Sequence, residues 1–152
     1  MDKKYVRING MKHVTGLAAL SVGFGMLLTL PASCLAAAED AIGTWKDGET
    51  GGITQIYSCG GGVCIKVVRP AEEGEVDSNN PDPALKGRSM TGVIIMNAAA
   101  KDGPDRWKGK IYNPLDGETY TGFVEVKSKD EVKLEGCVLN ILCKTRVWRR
   151  VQ

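Results

Sequence analysis

Beyond residue 42 the chain is a succession of short segments in which apolar and polar residues alternate. In one of them, Trp107 and Ile111 share one face while Lys108 and Lys110 share the other. Alternation over four to eight residues is typical of a β-strand, because successive side chains of a strand point to opposite faces. The pattern predicts about eight strands. The first begins at residue 43, and the others span 52–58, 63–69, 93–96, 107–112, 119–127, 132–135 and 144–151.

A helix is the alternative for the segment that continues from the fourth strand through the alanines at 98–100. The β-branched residues at its start and the breaker at 102–104 favour a strand. Most links between the predicted strands are short and rich in turn residues. The exception is Asp77–Gly92, between the third and fourth strands, and loops of more than about 12 residues are usually functional or disordered. The sequence thus predicts an all-β fold, an eight-stranded antiparallel up-and-down barrel with one long loop between strands 3 and 4.

The first 38 residues have the layout of a secretory signal peptide. An apolar run from Leu17 to Leu30 ends at Pro31, and the alanines at 36–38 offer a cleavage site before Glu39. The basic residues ahead of this run are Lys3, Lys4, Arg7 and Lys12. We therefore expect residues 1–38 to be the signal peptide and 39–152 to be a single barrel domain, in the periplasm or secreted and without stable membrane insertion.

Two alternatives stay open for this leader. The first is a lipoprotein signal in which Cys34 carries the lipid anchor, although Pro31 stands where such a signal has Leu. The second is a start at Met11 instead of Met1, because the basic region is long.

Removal of residues 1–38 changes the charge and the chemistry of the chain. The remaining chain has 16 basic and 17 acidic residues and lacks His13, the only histidine. A net charge near zero gives no clustered positive surface for nucleic acid. Without histidine there is no imidazole base or imidazole metal ligand, and no nucleophile–base pair stands out. We therefore expect no catalytic residues, no metal and no cofactor.

Four cysteines remain after cleavage, an even count that indicates two disulfides in an exported chain. Of the three pairings we favour Cys59–Cys64 and Cys137–Cys143, because each pair brackets a tight turn. A four-cysteine zinc site is the alternative, although the spacings are wider than the usual two residues.

The long loop is rich in turn-forming side chains. Asp77, Asn80 and Asp82 are interpreted as an Asx-turn framework, and Pro81 and Pro83 stiffen it. The spacing also resembles a calcium loop, but it lacks the glycine and the final glutamate of such a loop. The acidic residues that precede the loop are interpreted as a solvated surface instead of a carboxylate pair for catalysis.

Specific residues along most of the chain also match a known pattern. They are Gly43-Thr44-Trp45, Tyr57-Ser58-Cys59, Cys64, Asp77, Asn80-Pro81-Asp82, Leu85-Lys86, Arg88, Gly92, Trp107, Ile111-Tyr112-Asn113-Pro114, Gly117, Tyr120, Gly136-Cys137-Val138-Leu139, Cys143 and Trp148. With these residues the chain resembles the bacterial domain-of-unknown-function family 2147 over nearly the full length of its predicted mature part. Ser89-Met90 departs from the pattern, where the family has Pro and an aliphatic residue.

The resemblance implies an exported protein with a small lipocalin-like barrel. Gly43-x-Trp45 also looks like the first-strand signature of the wider calycin group, in which the Trp closes one end of the barrel and a late Arg packs over it. The resemblance thus implies a structural role for Trp45, with Arg149 or Arg150 as its cation–π partner.

Two functions from different classes follow from this fold. The first is non-enzymatic binding of a small apolar or fatty-acid-like ligand in the barrel mouth, with Lys86 or Arg88 on the long loop as the partner of a carboxylate. The residues expected to line that mouth are Tyr57, Trp107, Tyr112 and Tyr120. The alternative is a solid barrel that serves as a protein or cell-wall interaction module of the envelope, with an unknown partner.

Overall fold

The computed structural model describes residues 36–139 and 141–151, so the predicted signal peptide and Cys34 lie outside the described residues. A short 3₁₀ helix, Ala38–Ala41, precedes eight strands. The strands are β1 (Gly43–Asp47), β2 (Ile53–Cys59), β3 (Gly62–Arg69), β4 (Ile94–Lys101), β5 (Arg106–Asn113), β6 (Glu118–Ser128), β7 (Glu131–Val138) and β8 (Leu142–Arg150). The alternation of apolar and polar residues located all eight.

The strands form one closed sheet in which each is antiparallel to its neighbours in the chain and β8 pairs with β1. Closure gives every strand two partners and leaves no open edge. The predicted eight-stranded up-and-down barrel is thereby confirmed. The fourth strand continues through the alanines to Lys101, with a bulge where Ala98 adopts a φ of 46°, so the helical alternative for this segment is wrong.

The core lies inside the barrel and extends from the end at which the 3₁₀ helix packs to Ile111 and Leu134 near the other end. Its largest fully buried side chains include Trp45, Ile56, Ile65, Met96 and Val124. Because the sheet closes on itself and the core lies within it, the part of the chain from residue 36 onward has all the elements of an independently folding domain.

The 3₁₀ helix closes one end of the barrel and is held there by hydrogen bonds from two tryptophans. Nε1 of Trp107 donates a hydrogen bond of 2.6 Å to the carbonyl of Ala38, and Nε1 of Trp45 donates one of 2.7 Å to the carbonyl of Ala41. Ala38 itself is fully buried. The boundary expected before Glu39 therefore falls inside the closing helix of this structure.

The cation over Trp45 is Arg150 and not Arg149. The Arg150 guanidinium lies 4.2 Å from the ring centroid and donates to the carbonyl of Asp40 at 2.6 Å. A Cβ on Gly43 would fall 2.1 Å from Nη1 of Arg150, so the guanidinium could not keep this position over Trp45 with a larger residue at 43. Alternation along β8 turns Arg149 to the outer face, where it pairs with Glu131 at 2.6 Å.

Both expected disulfides are present, Cys59–Cys64 and Cys137–Cys143. Because all four sulfurs are bonded in pairs, the alternative of a four-cysteine zinc site is excluded. Disulfides are typical of an oxidising compartment outside the cytoplasm. Within residues 36–139 and 141–151, no helix has the length and apolar character needed to cross a membrane.

Candidate functional site: a cavity at the open end of the barrel

The end of the barrel opposite the 3₁₀ helix contains a cavity of about 460 Å³. Four connections surround it, because every second link of an up-and-down barrel lies at the same end. They are the β1–β2 turn (residues 48–52), the β3–β4 segment (residues 70–93, called the flap below), the β5–β6 turn (residues 114–117) and the β7–β8 turn (residues 139–141). This volume is within the range of small-molecule sites in proteins.

The inner wall of the cavity is apolar. Its buried apolar side chains are Val67, Met90, Ile95, Ile111 and Leu134. Met90 belongs to the flap and is 2% exposed, so the flap contributes one wall of the cavity as well as part of its rim. Such a wall accommodates an apolar body by excluding water from it.

Two cations of β8, Lys144 and Arg146, line the same cavity. Nη1 of Arg146 donates to Glu49 at 2.8 Å and to Asp47 at 3.4 Å. Its other guanidinium nitrogens make no hydrogen bond to the described residues, and Lys144 forms no ion pair with them. The site therefore carries donors for an anionic group at its rim.

Sequence reasoning missed these two cations, although a signal was present. Lys144, Arg146 and Trp148 alternate along β8 and so point to the same face. Trp148 is 3% exposed, which identifies that face as the inner one. An alternating strand that carries a tryptophan and two cations on one face is thus a signal for a charged barrel mouth.

The flap is organised around the carboxylate of Asp77, which is fully buried. It accepts hydrogen bonds from the hydroxyl of Tyr112 at 2.5 Å and from Nδ2 of Asn80 at 2.8 Å. Nη2 of Arg88 adds an ion pair at 2.8 Å, and Nε of the same residue donates at 3.0 Å. The flap is therefore a folded element held to β5.

These contacts shift the pKa values of both partners. Burial by itself raises the pKa of Asp77, but the hydrogen bonds from Tyr112, Asn80 and Arg88 outweigh it, and the net pKa is lowered. Burial, together with the hydrogen bond to Asp77, raises the pKa of Tyr112 to about 12. Tyr112 therefore remains a donor and Asp77 remains an acceptor across the neutral range.

The flap also rests on the β5–β6 turn. Nδ2 of Asn79 donates to the carbonyls of Leu115 at 2.9 Å and Pro114 at 3.2 Å. In the same turn the hydroxyl of Tyr120 donates to Asp116 at 2.8 Å, and this bond raises the pKa of Tyr120. Flap and turn together form a continuous wall on one side of the mouth.

Of the four aromatic residues expected to line a ligand, the structure brings two to the cavity. Tyr112 and Tyr120 line it, and ligand contact by them stays a prediction. Tyr57 is corrected to the outer face, where Nζ of Lys66 lies 5.5 Å from its ring centroid. Trp107 is corrected to the closed end, where it holds the 3₁₀ helix.

The two cations expected to meet a ligand carboxylate, Lys86 and Arg88, do not line the cavity. Lys86 is exposed on the flap, and Arg88 is occupied by Asp77. The turn residues have local roles: Oδ1 of Asn80 accepts the backbone N–H of Asp82, whose own Oδ1 accepts that of Ala84. This is the Asx framework in atomic detail, and the described residues show no carboxylate cluster at this loop that could hold a metal.

Comparison with known proteins places this barrel in context. A solved structure described as "Protein HP1028 from the human pathogen Helicobacter pylori belongs to the lipocalin family" superposes with a TM-score of 0.67 at 24% identity. The match covers 74% of this chain and 83% of that chain, and at this identity it shows the fold alone. No curated protein matches the sequence.

The family comparison is more specific. The model of the family described as "Uncharacterized protein conserved in bacteria (DUF2147)" matches residues 43–150, which span all eight strands and the flap. The chain therefore belongs to the DUF2147 family, with a lipocalin-like barrel.

Proposed function

We propose that this protein is an exported, non-enzymatic binding protein that takes a small, mainly apolar molecule with an acidic head group into the open end of the barrel. The observation that carries the proposal is the cavity of about 460 Å³ between the flap and β8. The apolar body packs against its inner wall, and the head group meets Lys144 and Arg146 at the rim. The two disulfides and the predicted signal peptide support a periplasmic or secreted location.

The cavity weighs against the alternative of a solid barrel that serves only as an interaction module. The core packs around Trp45 and Trp107 and continues into the apolar wall of the cavity, which lies at the open end of the barrel. Natural cores leave few voids larger than a water molecule, so a space of this size at a barrel mouth is typical of a ligand site.

The test is a titration of the chain from residue 36 onward with a fluorescent fatty acid. We expect saturable binding, and a fatty alcohol of the same length to bind about tenfold less tightly, because it lacks the charge-assisted hydrogen bond. Lys144→Met should reduce that difference between acid and alcohol. Absence of saturable binding by the unmodified chain would refute the proposal.

Gly136 offers a variant that fills the cavity without straining the backbone. It lines the cavity, and a Cβ there would meet only ordinary contacts, with the nearest atoms of Ile111 and Tyr120 at 3.8 Å. Gly136→Leu should lower the affinity at least tenfold, since its side chain takes the ligand's place. Thr145→Leu, on the outer face of the neighbouring strand, is the matched control and should bind as the unmodified chain does.

A further inference from the structure

The end of the β7–β8 hairpin at the open end of the barrel, residues 136–146, is called the ribbon below. β6 pairs with β7 only as far as Cys137, and β1 pairs with β8 only from Trp148 onward. Between these points the two strands pair with each other alone. An isolated two-stranded ribbon is marginal in water, and here the disulfide Cys137–Cys143 ties its strands together.

The tip of the ribbon is apolar and faces solvent. Val138, Leu139, Ile141 and Leu142 are 45%, 82%, 84% and 74% exposed. Scattered single apolar residues on a surface are ordinary, but four exposed apolar residues grouped at the end of one disulfide-linked hairpin mark an interaction site.

The charges of the ribbon restrict what the tip can meet. Residues 136–146 contain Lys144 and Arg146 and no acidic residue. The acidic side chains at 72, 73 and 75 lie on the flap, which joins β3 to β4 and so stands half way round the barrel from the ribbon. Arg146 is already paired with Asp47 and Glu49, so an anionic surface would attract the ribbon through Lys144 and would repel the flap.

We propose that the ribbon is a membrane-docking device whose tip inserts into the interface of a bilayer that contains anionic lipids. Apolar tips flanked by cations bind such interfaces through buried apolar area and charge attraction. Val138, Leu142 and Lys144 line the ligand cavity as well, so insertion brings the cavity mouth to the acyl chains. The purpose of this docking, transfer of an apolar ligand between bilayer and barrel, rests on the proposed function.

The shape of the ribbon favours a bilayer over a protein partner. A stable protein interface needs about 800 Å² on each partner, with a polar rim around its apolar centre. The ribbon offers four apolar side chains at the end of two strands, which have no other strand partner beyond Cys137 on one edge and before Trp148 on the other. A fluid interface accepts such a tip without shape complementarity.

The experiment is co-sedimentation of the oxidised chain from residue 36 onward with sucrose-loaded vesicles. One set of vesicles is phosphatidylcholine with about a third phosphatidylglycerol, and the other is phosphatidylcholine alone. We expect tighter binding to the anionic vesicles, a decrease at high salt, and at least tenfold weaker binding for the double variant Leu139→Ser with Ile141→Ser. Lys144→Glu should weaken binding to the anionic vesicles at least fivefold and leave binding to the neutral ones nearly unchanged.

Matched controls separate docking from general hydrophobicity. Val68 and Ile94 are 43% and 48% exposed on β3 and β4, away from the ribbon, and their double substitution by serine should leave vesicle binding unchanged. The native tryptophans are at most 7% exposed, so Leu139→Trp adds a reporter whose emission should shift to the blue on anionic vesicles. Equal binding by both double variants, or no vesicle binding at all, would overturn the docking proposal. The proposal would also be overturned if the substitutions in the tip changed only self-association or the capture of a protein.

The readouts also distinguish this proposal from the binding function. Leu139 and Ile141 do not line the cavity. Their serine variant should therefore bind a fluorescent fatty acid from solution as tightly as the unmodified chain. Vesicle binding without fatty-acid binding would support docking and refute the proposed ligand. Fatty-acid binding without vesicle binding would support the proposed ligand and refute docking.

Discussion

Asp77 is the residue on which the position of the flap depends, because its carboxylate joins three side chains from two elements. We expect Asp77→Asn to lower the free energy of unfolding by about 2 kcal/mol at pH 7, since the ion pair and a charge-assisted hydrogen bond are lost. Arg88 is 36% exposed, and solvent screening keeps the effect below that of a fully buried pair. Urea unfolding measures it, and Asp82→Asn, on an exposed turn of the same flap, is the control and should change little.

The pH dependence of this effect follows from the lowered pKa of Asp77. A carboxyl group whose pKa is lower in the folded state stabilises the fold fully above the pKa of the unfolded group, about 3.9. That stabilisation is lost as the pH falls through the folded value. The difference between the unmodified chain and Asp77→Asn should therefore shrink below pH 4, and a constant difference down to pH 2 would contradict the role given to this carboxylate.

Residue-level prediction from the sequence failed where alternation leaves the inner face undetermined. In β2, Ile53 and Tyr57 share one face and Thr54 and Ile56 share the other, so both faces carry a large apolar residue. The closed barrel buries Ile56 and leaves Tyr57 outside beside Lys66. Trp107 was assigned to the correct face but to the wrong end, because alternation gives no position along the barrel axis.

At the scale of elements, the flap and the β5–β6 turn behave as one unit. A Cβ on Gly117 would fall 2.0 Å from the carbonyl oxygen of Asn79, and Gly117 has a φ of +77°. Gly117→Ala should therefore push the flap away from the turn in addition to straining the turn itself. The flap was predictable as an ordered loop from its Asn, Asp and Pro residues, whereas its contact with a turn 35 residues further on depends on the closed sheet.

Gly87 provides the matched control for this contact. Its φ is +82°, but a Cβ there meets no atom within 4 Å, so Gly87→Ala reports the conformational cost alone, about 1–2 kcal/mol. We expect Gly117→Ala to destabilise the domain by about 1–3 kcal/mol more than Gly87→Ala, as overpacking does. Urea unfolding compares the two, and faster hydrogen exchange across the flap in Gly117→Ala alone would locate the difference. Equal destabilisation by the two substitutions would show that the flap moves away from the added methyl group without loss of stability.

At the scale of the whole molecule, the barrel was predictable and its cavity was not. Eight alternating segments joined by short links fix the number and order of the strands, and closure follows because it removes the open edges. Whether the interior is filled depends on which residues share a layer, and that is set by bulges such as the one at Ala98. The sequence therefore left a filled barrel and a barrel with a cavity as equal alternatives, and the packing leaves a cavity at the open end.

The packing also makes a prediction about where the folded chain begins. The carbonyl of Ala38 accepts the indole N–H of Trp107, and its own N–H donates to Pro104 at 2.8 Å. A chain that starts at Glu39 lacks both bonds and leaves a buried indole donor without a partner. We expect it to be about 2 kcal/mol less stable than a chain that starts at Ala36. Urea unfolding of the two chains measures the difference.

A double-mutant cycle with Trp107→Phe isolates the hydrogen bond from the loss of packing. In the phenylalanine background the two start points should differ by about 1 kcal/mol less, because the donor is already absent. If both chains are equally stable, the closing helix does not depend on residues 36–38, and cleavage before Glu39 is compatible with the fold. If the shorter chain is weakened as expected, an exported form of the protein should begin before Glu39. Mass spectrometry of the exported chain tests that start directly, and a chain lipidated at Cys34 would satisfy it.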